Sequence, residues 1–190
     1  ITELKSGYAE MLKHGMLSSH DDVIKLTGYD FQNADVEHLL QLLKTSVLVK
    51  ERIVKEDPHE QGIRRALNLG HTVGHAFESK ALHDGKPIAH GYAVAWGMVA
   101  EMVLSHQILK FPTEDLHRLA EFVYANYGAY HITCDHYDEL LHLMHHDKKS
   151  EHGEINCTLL AACGDVRPGH TITDDQMRIA LDLYRDLLHI

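Results

Sequence analysis

Apolar residues recur along this chain mostly at helical spacing, with one stretch near the C-terminus that alternates instead. Asp35 followed by Val36, Leu39, Leu40, Leu43, Val47 and Val54 predicts a long N-capped helix, which Asp57-Pro58 ends. Before it, Tyr8 to Leu17 reads as a helix with Glu10, Lys13 and His14 on one face. After it, the segment from Arg64 reads as a helix running to about Lys80, and Asp84-Gly85-Lys86-Pro87 as a loop. His90-Gly91 introduces an apolar helix through Trp96, Met98, Val99, Met102 and Val103, patterned for burial on most sides. Phe111-Pro112 breaks that helix, Thr113 is placed to cap another through Tyr124, and Asp135 starts a further one to His146. The run from Ile155 to Cys163, bounded by Gly153 and Gly164 and followed by Val166 and Ile172, reads as a small β-hairpin. Thr173-Asp174-Asp175-Gln176 is a capping box for a last amphipathic helix carrying Met177, Ala180, Leu181, Tyr184 and Leu188. No repeat and no βαβ alternation is present. The expected fold is mainly α: one multi-helix domain over residues 1–190 with one small antiparallel β-hairpin.

One stretch breaks the apolar pattern. Placed on a helix at about 100° per residue, Arg64, Asn68, His71 and His75 fall within a stripe roughly 60° wide. A cation, an amide and two imidazoles on one line suit a polar ligand. Gly70 and Gly74 each disfavour a helix interior by about 1 kcal/mol relative to alanine, which suits close approach of another backbone or a ligand. His71 and His75 have the HxxxH spacing that chelates one metal from a single face, although Thr72 replaces the glutamate of the zincin pattern. Glu10, Glu60, Glu78, His83 and His90 are candidate third ligands. At this point a metal site and a pair of buried polar histidines are both open. Glu10 and Lys13 read on spacing alone as a solvated ion pair, and His90 as either a cap residue or a ligand. Arg64, Lys50, Lys13 and Lys148 near a metal would suit a phosphorylated acid.

Composition narrows the setting. A chain of 190 residues with 44% hydrophobic content is long and apolar enough for a proper core. The formal charge of −10 argues against a nucleic-acid or membrane-surface partner, either of which calls for a basic face. The apolar run from Ala93 to Ala100 ends at Glu101, far too short to span a bilayer. The three cysteines, Cys134, Cys157 and Cys163, show no CxxC spacing, and reduced thiols in a cytoplasmic protein are expected. Most of the eighteen histidines lie among charged neighbours and read as surface residues.

Glu10-Met11-Leu12-Lys13, Lys50, Glu60, Arg64, the Asn68-Leu69-Gly70-His71-Thr72-Val73-Gly74-His75-Ala76 run, His90-Gly91-Tyr92-Ala93-Val94 and Asp147-Lys148-Lys149 occur in an order that resembles the C-terminal domain of 3-dehydroquinate synthases, within the sugar-phosphate cyclase superfamily. The resemblance covers nearly the whole chain. It implies that Glu10, His71 and His90 hold a divalent metal, Zn2+ or Co2+, which moves His75 from ligand to proton-transfer group beside Glu60. It implies that Lys13, Lys50, Arg64, Asn68 and Lys148 bind the substrate, with Lys149 the alternative to Lys148. The implied reaction is NAD+-dependent conversion of 3-deoxy-D-arabino-heptulosonate 7-phosphate, a small phosphorylated sugar acid, to 3-dehydroquinate and phosphate in the shikimate pathway. The N-terminal α/β domain that binds NAD+ in this family has no counterpart in these residues, so the chain reads as a fragment cut just before the first metal ligand and without turnover. A homodimer is implied at full length. Ser6 stands where the family carries a cofactor-contacting asparagine, and the segment from Glu78 to His90 is a few residues longer than usual. A sister cyclase, or a non-catalytic metal-binding helical module, is the alternative.

Overall fold

The computed structural model describes residues 1–148, 150 and 152–190. Its helices are α1 (Thr2–Ser18), α2 (His20–Thr27), α3 (Val36–Glu56), α4 (His71–His83), α5 (His90–Leu109), α6 (Thr113–Tyr127), α7 (Tyr137–His145) and α8 (Asp174–Leu187). Short 3-10 helices at Ile63–Asn68 and Cys134–His136 precede α4 and α7, and β1 (Ile155–Ala162) pairs antiparallel with β2 (Asp165–Ile172). The mainly α fold with one hairpin is as expected.

Local chemistry sets most boundaries. The Asp35 carboxylate accepts from the Glu37 and His38 amides at 2.9 and 3.1 Å and starts α3. The Thr173–Gln176 box closes at 2.9 and 3.2 Å on α8. Three boundaries differ from expectation. Helix α1 begins at Thr2, a turn and a half before Tyr8. Pro112, with no side-chain cap, precedes α6, and Thr113 is its first residue. Asp135 lies in a 3-10 turn capped by Thr133, so that α7 begins at Tyr137 and ends at His145.

The larger correction concerns the polar stripe. Leu69 is extended and Gly70 has φ +79°, so the chain turns between Asn68 and His71 and no helix runs through. Arg64 and Asn68 sit on a 3-10 helix, while His71 begins α4. The turn exists because α4 lies directly on α5: a Cβ on Gly97 would stand 2.1 Å from the Gly70 carbonyl oxygen and 2.7 Å from the Gly74 nitrogen. Glu101 of α5 lies beneath the first turn of α4 and accepts from the Val73 amide at 3.3 Å.

Helix α5 is the centre of the core, buried from Ala93 to Ser105. The hairpin is sewn to this centre through polar bonds. Ser105 Oγ accepts from the Leu160 amide at 3.0 Å, Thr72 donates to the Asn156 carbonyl at 2.7 Å and Thr158 to the Arg65 carbonyl at 3.1 Å. Helix α3 buries Leu42, Ser46, Val49 and Ile53. Its other apolar row, Val36, Leu40, Leu43 and Val47, is exposed. No helix of the described residues is long and apolar enough to cross a membrane.

The glycine contact can be tested by substitution. Gly97→Ala is expected to lower the stability of the chain by at least about 2 kcal/mol in urea unfolding, because the neighbouring atoms are backbone and have little room to yield. Gly7→Ala, where a new Cβ meets nothing within 4 Å, is expected to raise stability by about 0.5–1 kcal/mol.

Candidate functional site

Three helices deliver three ligand-type side chains to one point: Glu10 from the middle of α1, His71 from the first residue of α4 and His90 from the first residue of α5. Lys13, buried one turn along α1, donates to Glu10 Oε2. The other oxygen, Glu10 Oε1, is shielded from solvent and has no hydrogen-bond partner. It lies 3.8 Å from His71 Nε2 and 3.7 Å from His90 Nε2. These separations are too long for hydrogen bonds. They are close to the roughly 3.4 Å between two ligands that each bond one tetrahedral ion at about 2.0–2.1 Å.

Both imidazoles are turned for that role. His71 Nδ1 is 3.0 Å from the Leu69 carbonyl oxygen, an acceptor that requires the proton on Nδ1 and leaves the Nε2 lone pair free. His90 Nδ1 is 3.0 Å from Glu78 Oε2, with the same result. His75 stands beside them, its ring centroid 5.2 Å from that of His71 and 5.9 Å from that of His90. Its Nδ1 meets Asp147 Oδ2 at 3.1 Å, which in the neutral ring leaves Nε2 as the open acceptor nitrogen. The two histidines of the HxxxH pair therefore fall in different candidate donor sets. His71 groups with Glu10 and His90, and a second grouping joins His75 and Glu78 to His90.

Electrostatics favour a neutral imidazole and a charged carboxylate. Burial, helped by the Lys13 charge, pulls His71 down to about 4. His14, bonded to Ser46 Oγ at 2.6 Å, is also lowered to about 4 by burial and then by Lys13 and Lys50. Burial alone would raise the Glu10 carboxyl, but Lys13, then His71 and His90, hold it below its ordinary value. Beneath α4, fully buried Glu101 is pushed up to about 8 by desolvation and stands as a neutral acid.

Next to this cluster a recess of about 430 Å³ is lined by Glu60, Arg65, Asn68, Thr72, Lys148 and Asn156, among others. The expected site residues thus fall into groups. Glu10, Lys13, His71, His75 and His90 form the cluster, and Glu60, Asn68 and Lys148 share the recess. Arg64 turns Nη1 to the Pro58 carbonyl at 3.0 Å, so its neighbour Arg65 lines the recess instead. Lys50 is exposed on α3, its charge felt at His14. Lys149 lies outside the described residues. Ser6 has a structural role, its Oγ accepting from the Gly91 amide at 2.9 Å. Sequence reasoning did not assign roles to Asp147, Arg65, Asn156 and Thr158. The last two carried a signal, being polar positions inside an otherwise apolar strand.

The model of the 3-dehydroquinate synthase C-terminal family matches residues 7–150. The chain belongs to that family. Among relatives, it is 48% identical to the 3-dehydroquinate synthase of Parabacteroides distasonis, over 95% of this chain and 51% of that protein. It is 34% identical to the 3-dehydroquinate synthase of Staphylococcus carnosus, over 89% and 47%. The chain spans about half the length of the curated relatives it matches. Its fold is that of the sugar-phosphate cyclases. It superposes with a TM-score of 0.78, at 21% identity, on 2-epi-5-epi-valiolone synthase from Streptomyces hygroscopicus subsp. jinggangensis, solved with NAD+ and Zn2+ bound, covering 96% of this chain and 51% of that one. With 2-deoxy-scyllo-inosose synthase, solved with carbaglucose-6-phosphate, NAD+ and Co2+, the TM-score is 0.73 at 18% identity, over 95% and 51%.

The buried groups of this family member set opposing pH dependences. His14 and His71 stay neutral in the fold down to about 4, whereas the unfolded chain protonates them near 6.5. Each therefore removes stability as pH falls from 6.5 to 4, by about 1.4 kcal/mol per pH unit. Glu101 acts the other way. It keeps its proton in the fold up to about 8 but loses it near 4.5 when unfolded, so stability is lost as pH rises between those values. Glu101→Gln is expected to reduce the decline from pH 6.5 to 8, leaving the part due to His145, which Gly153 and Asp174 hold above its ordinary value, and to steepen the acid side, measured by urea unfolding in the presence of chelator. A decline unchanged in this variant would mean that Glu101 is ionised in the fold.

Proposed function

We propose that this chain is the metal- and substrate-binding half of a 3-dehydroquinate synthase, an enzyme that forms 3-dehydroquinate and phosphate from 3-deoxy-D-arabino-heptulosonate 7-phosphate in aromatic amino acid biosynthesis. The observation that carries the reading is the unpartnered Glu10 Oε1 facing the free Nε2 atoms of His71 and His90. A divalent cation, Zn2+ or Co2+, held by these three would supply Lewis acidity to substrate oxygens, and NAD+ held by an N-terminal domain of the whole enzyme would supply hydride exchange.

The chain's own residues supply position and proton movement. Lys13 keeps Glu10 charged and turned toward its neighbours. Asn68 and Lys148 offer the recess an amide and an ammonium for the phosphate, holding it where it can leave. His75, aligned by Asp147, takes or returns a proton through Nε2, and Glu60 handles a second one at the recess. Arg64 and Lys50 close on the substrate carboxylate, for which Arg64 gives up its Pro58 contact. The free cysteines fit a cytoplasmic enzyme, and the whole protein is expected to be a homodimer.

Two measurements test this. Glu10→Ala and His90→Ala are each expected to reduce bound metal more than tenfold, Glu78→Gln to weaken binding by about tenfold through the His90 ring, and His75→Asn to leave it unchanged. Phosphate release from 3-deoxy-D-arabino-heptulosonate 7-phosphate is expected from the chain extended by the NAD+-binding half and not from the chain alone. Turnover by the chain alone would overturn the division of labour. Release only from other sugar phosphates would make it a sister cyclase.

A further inference from the structure

A second set of metal-ligating side chains lies away from the Glu10 cluster. His20, the first residue of α2, Asp115, in the first turn of α6, and Cys163, in the hairpin turn after β1, place an imidazole nitrogen, a carboxylate oxygen and a thiol sulfur within 4.8 Å of one another. The two sets share no residue. From Glu10 to the end of α1, next to His20, is about 12 Å along the helix axis.

Backbone contacts hold this second set together. The hairpin turn is docked on the corner between α1 and α2, the Gly164 amide donating to the Met16 carbonyl at 2.9 Å. Gly164 has φ +84°, and a Cβ there would stand 2.5 Å from the Ser18 carbonyl oxygen. Cys163 is thereby fixed beside His20. Asp115 comes from a third direction and is buried, with only 9% of its side chain exposed. Its Oδ1 has no hydrogen-bond partner, although His20 Nδ1 is 3.1 Å away, so the two are close without being aligned for a hydrogen bond. A protonated His20 would be a counter-charge for this buried oxygen, and a cation held between imidazole, carboxylate and thiol would be one at any pH where it binds. Arg118, whose charge also faces the thiol, lies 3.5 Å from Glu114.

We propose that His20, Asp115 and Cys163 form a second transition-metal site that fastens the hairpin turn and α6 to the α1–α2 corner. One nitrogen, one oxygen and one sulfur ligand suit Zn2+, or Co2+ in its place, with water in the fourth position. Binding forms a metal–sulfur bond and releases the Cys163 proton to solvent.

Cobalt distinguishes this site from the first, because Glu10, His71 and His90 contain no sulfur. Titration of the metal-free chain with Co2+ is expected to show two equivalents bound and a thiolate-to-cobalt charge-transfer absorption that survives His71→Ala. Cys163→Ser is expected to remove that absorption and one equivalent. His20→Ala, at an exposed position that leaves the fold intact, is expected to weaken the second equivalent at least tenfold, and Asp115→Asn likewise. Absence of the absorption, its persistence in Cys163→Ser, or its indifference to His20→Ala and Asp115→Asn would each overturn the assignment.

Discussion

The contact on which the site depends is between two stretches of main chain. Helices α4 and α5 touch where Gly97 faces Gly70 and Gly74, closer than any side chain would permit. That approach places the first residues of the two helices, His71 and His90, side by side. It also brings Glu101 under the start of α4, where its carboxyl replaces the missing helical acceptors. Neutral Glu101 meets those amides without placing a full negative charge beneath the histidines, as an ionised carboxylate would.

Around that contact most polar groups are satisfied, with one oxygen each of Glu101 and Glu10 left without a hydrogen bond. Main-chain and carboxylate acceptors fix the outer nitrogens of His71, His75 and His90. Lys13 satisfies one oxygen of Glu10 and leaves the other bare. A buried bare oxygen is destabilising by about 1–3 kcal/mol unless something positive joins it. The same logic applies at Asp115, where nothing in the family pattern directs attention.

Much of the fold was legible because its signals are local. Asp35, the Thr173–Gln176 box and the glycine-bounded run at Ile155 each act within a few residues. The polar stripe misled because helical periodicity assumes an unbroken helix, and the αL turn at Gly70 is imposed by α5, nearly thirty residues away. Spacing alone suggested His71 with His75. The grouping of His71 with Glu10 and His90 came from the family resemblance, since it joins three helices that no sequence period connects. Arg64 and Arg65 show the same limit. Which of two adjacent arginines faces the recess depends on the 3-10 turn and on the Pro58 carbonyl, neither of which is written in the pair itself.

Helix α1 is tied to α5 in the same manner as α4 is. A Cβ on Gly91 would stand 2.1 Å from the Ser6 carbonyl oxygen, and the Ser6 hydroxyl receives the Gly91 amide. The spacing of Glu10, His71 and His90 is therefore set by atoms of the main chain in van der Waals contact, within about one turn of each side chain. Such a frame has little freedom to expand. Two of its three donors are imidazole nitrogens, which suit a borderline cation such as Zn2+ or Co2+ better than Ca2+, whose ligands are oxygens. How far apart those donors stand is thus a property of four glycines and a serine whose own side chains take no part in the cluster.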